Sequence, residues 1–168
     1  AIAHRYAGAF PEAYKEDFDA HVAVDDIEAL ERLRDSDDIG LDLYELAGAA
    51  AGELRLKVYR LGPPVSLSHV LPLLQSMGVE VTDERPYGIE RRDGGHAWIY
   101  DFGLRQGHLA YVDDPRARHE RFQDALSAAW HGAAEADGFQ ALVLRAGLSW
   151  RQVVILRAYA KYLRQAGS

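Results

Sequence analysis

Apolar and polar residues alternate with a period of two over Leu54–Tyr59, where Leu54, Leu56 and Val58 interleave with Arg55, Lys57 and Tyr59. That is the pattern of a strand with one buried face and one polar or aromatic face. Gly62-Pro63-Pro64 ends the strand, since two prolines fix φ and remove backbone donors, and Ser66 or Ser68 can cap the helix that follows. Within Leu67–Met77 the period changes: Leu67, Val70, Leu71, Leu74 and Met77 recur at three and four, and Gly78 stands where a left-handed C-terminal cap is expected. Pro72 should remove one early hydrogen bond of this helix and bend it near its start. Val79 and Val81 then alternate with Glu80 and Thr82, an Asp93-Gly94-Gly95 turn follows, and His96–Leu104 is rich in aromatic and branched residues. The two runs predict a hairpin.

The flanks read as helices. Pro11 suits a first helical position and opens a helix to about Phe18. A second is predicted from Asp25 to Leu33, with Asp25-Asp26 at its N-terminus and Ile27, Leu30 and Leu33 as a narrow stripe. Asp35-Ser36-Asp37-Asp38 is a solvated turn and not a calcium loop, because Ile39 and Leu46 fall where a ligand and the bidentate glutamate would be needed. Leu41–Leu46 is a short strand, joined through Gly48-Ala49-Ala50-Ala51-Gly52 to the strand at Leu54. Gly107 and Asp113-Asp114-Pro115 mark loops. Arg116–Trp130 is helical with Phe122, Leu126 and Trp130 at intervals of four, and Gly132 ends it. Asp137-Gly138-Phe139-Gln140 and Ser149-Trp150-Arg151-Gln152 are capping arrangements, so two helices follow, split at Gly147. The last, Trp150–Leu163, is apolar on most of its circumference, with Arg157, Lys161 and Arg164 in one line, and needs partners on more than one side.

From Leu41 the order is strand, strand, helix, strand, strand, helix. A ferredoxin-like domain with its last strand moved to the front has this order, so the predicted class is α+β: a permuted ββαββα antiparallel sheet with helices on one face and further helices at both ends. The Leu41 strand pairs antiparallel with Leu54–Arg60, and Pro86 places the Val79 strand at an edge. Three segments are expected: helical over 1–38, α+β over 39–132, helical over 133–168.

The 168 residues can bury one substantial core. The absence of cysteine removes disulfide and thiol chemistry and fits a cytoplasmic location. No apolar run spans a bilayer, and the net charge of −7 argues against general polyanion binding. Beginning at Ala1 without methionine, the chain reads as cut from something longer.

Leu67-Ser68-His69-Val70-Leu71-Pro72-Leu73-Leu74-Gln75-Ser76-Met77-Gly78, Glu84-Arg85-Pro86-Tyr87, Asp101-Phe102, Glu135-Ala136-Asp137-Gly138-Phe139, Ala146-Gly147-Leu148-Ser149-Trp150-Arg151 and Leu156-Arg157-Ala158-Tyr159-Ala160-Lys161-Tyr162-Leu163-Arg164-Gln165 follow one another along the chain. In this order they resemble one family, the large bacterial NAD-specific glutamate dehydrogenases. The resemblance runs from about Pro11 to Gln165, with Ala136 and Gln140 where asparagines are expected. It implies a fragment of the long N-terminal regulatory region, where ACT-like domains and helical motifs precede the catalytic domain. NAD would belong to the parent enzyme and no cofactor to this segment. The implied partners are the catalytic domain of the same chain, neighbouring subunits and an amino-acid effector.

The residues themselves point away from catalysis. No Gly-x-Gly-x-x-Gly follows a strand, and Lys15, Lys57 and Lys161 are the only lysines. The seven histidines have no metal-binding spacing. The ligand candidate is the turn Gly62-Pro63-Pro64-Val65-Ser66 with Ser68: the resemblance implies amino-acid binding near the first strand-to-helix turn, where helix N–H groups can hold a carboxylate. Its bland alternative is a turn that only caps a helix.

The second candidate is a sheet face carrying Arg55, Lys57, Tyr59, Trp98 and Tyr100. Alternation turns Leu54, Leu56 and Val58 toward the helices at Leu67 and Phe122 and the other residues of that strand away from them, and if Trp98 and Tyr100 lie on that same outer side, an apolar patch results there. That patch would be covered by outer helices or a subunit, with Arg55 and Lys57 pairing at its rim with Glu12, Glu16 or Asp17. A docking element, an amino-acid sensor and a single-stranded nucleic-acid platform on that face are the functional alternatives.

Overall fold

The computed structural model describes residues 2–107 and 114–167. Three short helices come first: α1 (Ile2–Tyr6), α2 (Glu12–Asp17) and α3 (Ala20–Glu31). Strands β1 (Gly40–Tyr44) and β2 (Glu53–Leu61), helix α4 (Leu67–Ser76), strands β3 (Val79–Glu90) and β4 (His96–Gln106) and helix α5 (Pro115–Trp130) build the central domain. A 3₁₀ turn at Gly138–Ala141, α6 (Leu142–Arg145) and α7 (Trp150–Gln165) close the chain. The sheet is antiparallel with order β1-β2-β4-β3, which is the ferredoxin-like order with the final strand supplied from the front. Pro86 lies in β3, an edge strand, where its missing N–H costs no ladder bond.

The inner sheet face packs on α4 and α5. Leu54, Leu56 and Val58 meet Leu74, Met77, Phe122 and Leu126 in a core that also takes in Val143 and Val153 from the C-terminal helices. Phe122, Leu56 and Leu74 are completely buried, and each such side chain contributes roughly 1.5–3 kcal/mol by leaving water. Pro72 sits inside α4 without interrupting it. Gly78 closes that helix with φ +79, a conformation only glycine adopts without strain.

The opposite face is also covered. Tyr6, Ala9, Tyr14 and Leu30 from the N-terminal helices pack on Tyr59, Tyr87, Ile89 and Ile99. The molecule therefore has three layers: helices, sheet, helices. Strand register corrects the assignment of two residues. Tyr100 lies opposite Val58, and Trp98 opposite Arg60, so both belong to the inner face. Trp98, Tyr100 and Phe102 form a stacked row there, with ring centroids 5.9 and 6.2 Å apart. Alternation within one strand fixes only relative faces, and the phase of β4 against β2 is set by the hairpin and by pairing that one strand does not encode.

A second correction concerns α3, which begins at Ala20 rather than Asp25. Asp19 precedes its first turn, and Asp25-Asp26 lies mid-helix. Asp26 is 2% exposed, so it is not a solvated helix start at all. Asp35 takes the backbone N–H groups of Asp37 and Asp38, as a local turn. In the Asp113-Asp114-Pro115 loop, Asp113 lies outside the described residues; Asp114 caps α5 by accepting from the N–H of Ala117.

Candidate functional site

The polar layer between the N-terminal helices and the sheet is the most constrained feature of the outer face. Asp26 projects from α3 onto β2, and three donors converge on it. Lys57 Nζ lies 2.7 Å from Oδ2, the Tyr59 hydroxyl donates to Oδ1 at 2.6 Å, and the Tyr14 hydroxyl donates to Oδ2 at 2.5 Å. Lys57 stands between this carboxylate and the ring of Phe18, whose centroid is 4.0 Å from Nζ. The Lys57 and Asp26 side chains are 4% and 2% exposed. Two charges removed from water are tolerated only when paired and hydrogen-bonded, which they are here. Burial, followed by the Asp26 charge and hydrogen bond, pushes the Tyr59 hydroxyl far above its usual range, and Tyr14 is shifted the same way. Both phenols stay donors.

A second ionic row lies beside it on the same face. Asp101 of β4 accepts from Arg55 Nε at 3.1 Å and from the Tyr44 hydroxyl at 3.0 Å, while Arg55 Nη2 reaches Asp83 at 2.8 Å. Arg55, Gly103 and Asp83 stand opposite one another across three strands. A Cβ at Gly103 would collide with the Asp83 carboxylate, so the glycine is the gap through which Arg55 crosses β4. The bulge between Val81 and Asp83 turns Asp83 to this face. Burial raises the Asp101 carboxyl above its ordinary range despite Arg55. The rim acids have other partners than those expected: Asp17 pairs with Arg85 at 3.2 Å and accepts from Tyr87, and Glu12 pairs with Lys15. At the far end Arg5 and the Tyr6 hydroxyl both bind Glu31. Burial works to raise the Glu31 carboxyl, but the hydrogen bonds from Tyr6 and Arg5 together with the charges of Arg5 and Arg91 outweigh it and hold it below its usual range.

The structure thus puts Lys57 and Tyr59 against Asp26 and Phe18 of the N-terminal helices, sets Arg55 beside them in the ionic row with Asp101 and Asp83, and separates all three from Trp98 and Tyr100. The five do not form one open platform on which nucleic-acid bases could stack. Sequence reasoning missed Asp26 and Asp101 as the acids of this layer. A signal existed for Asp26: it lies three residues after Ala23 and four before Leu30, on the buried side of α3, where a carboxylate needs a cation.

The turn at Gly62–Ser68 is solvent-facing. Gly62 has φ +79; Pro63, Pro64, Ser66 and Ser68 are exposed, and the Ser66 and Ser68 hydroxyls bond each other at 2.8 Å. Val65 is buried, and its N–H donates to the Tyr100 hydroxyl at 2.9 Å, so that donor is already used. Arg60 braces the turn by donating to the carbonyls of Ser36 and Pro64.

In the C-terminal part, Asp137 caps the 3₁₀ turn by accepting from Phe139 N–H and is held in a two-point bond by Arg157 of α7, at 2.7 Å for each contact. The Arg157 hydrogen bond is the main cause that holds the Asp137 carboxyl below its usual range. Lys161 follows on the same line and pairs with Glu135 at 3.2 Å. Ser149 and Gln152 form a reciprocal capping box at the start of α7.

These segments coincide with known ones. The glutamate dehydrogenase ACT3 domain model matches residues 38–116, helical motif 2 of that enzyme matches 1–33 and helical motif 3 matches 134–168. The NAD-specific glutamate dehydrogenase of Mycobacterium tuberculosis is 45% identical over 99% of this chain. The chain belongs to the NAD-specific glutamate dehydrogenase family. Enzymes of the same name from Halomonas elongata and Pseudomonas aeruginosa are 37% and 38% identical over 96% and 93% of the chain. The chain spans 10% of the length of each of these dehydrogenases. Within the family's division, the Asp26–Lys57 pair ties helical motif 2 to the ACT3 sheet, and Asp137–Arg157 lies inside helical motif 3. Among the described residues no His, Asp and Glu side chains gather in a metal-binding group, and no helix is long and apolar enough to cross a membrane.

Proposed function

We propose that this chain is a non-catalytic, ACT-like regulatory segment of an NAD-dependent glutamate dehydrogenase, acting as a rigid docking element between the helical motifs and the catalytic part of a large oligomer. The parent reaction would be oxidation of glutamate to 2-oxoglutarate and ammonia, with NAD held elsewhere in the parent, in cytoplasmic amino-acid catabolism. The observation that supports docking is the cover that the N-terminal helices put over Tyr59, Tyr87, Ile89 and Ile99 on the outer face. A helical motif is fastened to the sheet by a buried charge pair with two tyrosine donors, which leaves a single mutual geometry for the two segments.

A second reading, amino-acid sensing at Gly62, Val65, Ser66 and Ser68, is favoured by the exposed serine hydroxyls at the first turn of α4. It has one donor fewer than expected, because Val65 N–H is bonded to Tyr100.

Calorimetric titration of the chain with NAD should give no binding, and micromolar stoichiometric binding would overturn the non-catalytic reading. A panel of amino acids followed by the amide resonances of residues 61–69 decides between the two roles: no shift leaves docking, and a saturable shift assigns sensing.

A further inference from the structure

Helix α7 has two unlike faces. Val153 and Arg157 are buried toward α5 and the Gly138–Ala141 turn. On the other side Ile155, Leu156, Tyr159, Tyr162 and Leu163 are 55%, 42%, 65%, 65% and 52% exposed. Their spacing of i, i+1, i+4, i+7 and i+8 makes a continuous stripe along the helix, of the width usually buried against a partner. Residues 161–167 are exposed all round, so the second half of α7 is open to a neighbouring molecule.

The stripe is symmetric in position about Tyr159. Leu156 and Ile155 lie three and four residues before it, and Tyr162 and Leu163 lie three and four after it. A second α7 laid antiparallel, with a two-fold axis through Tyr159, would set Tyr159 on its own copy, Leu156 on Tyr162 and Ile155 on Leu163. Such self-complementarity is what a closed two-fold contact requires.

The charges agree with this arrangement. α7 contains no acid. Arg157 turns inward to Asp137, and Lys161 pairs with Glu135. Arg164, five residues after Tyr159, projects about 140° from the centre of the stripe. Arg151, at the N-terminal end of the stripe, would come against the C-terminal end of the opposing helix, where the macrodipole favours a cation.

We infer that α7 pairs antiparallel with α7 of a second copy of this chain through Ile155, Leu156, Tyr159, Tyr162 and Leu163. Covering these five side chains would remove on the order of 600 Å² per copy, about 1,200 Å² in all, at the lower end of specific interfaces. Association in the micromolar range is expected. The inference does not depend on the regulatory reading, since it rests on the helix alone.

Sedimentation equilibrium of the chain from low to high micromolar concentration should show a monomer–dimer equilibrium. Ile155→Lys and Leu163→Glu should each abolish the dimer, and the two combined in one chain should restore it, because position 155 of one copy faces 163 of the other. Far-UV circular dichroism checks that these exposed substitutions leave the fold intact. The chain has no cysteine, so Tyr159→Cys should form a disulfide-linked dimer on oxidation while Val154→Cys, on the flank, should not. A monomer at every concentration overturns the inference and gives the stripe to another segment or partner. A dimer indifferent to the single substitutions overturns the choice of surface, and failure of the double variant to recover overturns the antiparallel register.

Discussion

Removing the cation from the Asp26–Lys57 layer tests the account of how the N-terminal helices are held. Lys57→Met keeps the length and most of the volume of the side chain but leaves the Asp26 carboxylate, 2% exposed, with only the Tyr14 and Tyr59 hydroxyls. Breaking a buried pair this way costs about 3–5 kcal/mol, since the surviving charge keeps its desolvation penalty and loses its counterion. Asp26→Asn should cost a similar amount by leaving the ammonium over the Phe18 ring without an anion. The double variant Lys57→Met/Asp26→Asn removes both charges while its amide still meets both tyrosines, so it should recover most of the loss, with a coupling of at least ~2 kcal/mol. Asp26→Leu in place of Asn would not recover, because two buried hydroxyls would lose their acceptor at about 1–3 kcal/mol each. Urea unfolding followed by circular dichroism measures the totals, and amide exchange in α3 shows whether the N-terminal helices open first. Single variants within about 0.5 kcal/mol of the parent, the range of an ordinary surface substitution, would refute the reasoning.

The Asp137–Arg157 bond should make the C-terminal helices acid-sensitive. The folded carboxyl titrates below its unfolded value, so its contribution is complete above the unfolded carboxylate range, near pH 4, and is lost as pH falls through the lower folded value. Arg157→Gln should remove that acid limb from a pH series of melting midpoints, and an unchanged limb would contradict it. Tyr100→Phe deletes the acceptor of the buried Val65 N–H, so a loss of about 1–3 kcal/mol is expected together with faster exchange of that amide. Unchanged exchange at Val65 would show that the turn before α4 is held by something else.

Much of the architecture was legible in the sequence because each element carries its own period and punctuation. The alternation at Leu54–Val58, the Gly-Pro-Pro break, the three-and-four spacing from Leu67 to Met77, the left-handed Gly78 and the capping box at Ser149 are local devices, and all stand where the sequence put them. The permuted strand order followed from counting elements, and Pro86 marked an edge because proline cannot donate. The site was harder to read because it is made of residues distant in sequence. Lys57 and Asp26 are 31 residues apart and Arg55 and Asp101 are 46 apart, and no periodicity connects such pairs. The face of Trp98 and Tyr100 was decided by the register of β4 against β2, where a shift of one residue would turn every side chain over. Asp26 looked like the charge of a helix start, and burial made it the acceptor at the centre of an interface. Sequence determined which residues could form strands, helices and turns; only tertiary packing decided which charges left water together, because the cost of an unpaired buried charge is settled by what arrives from the rest of the chain.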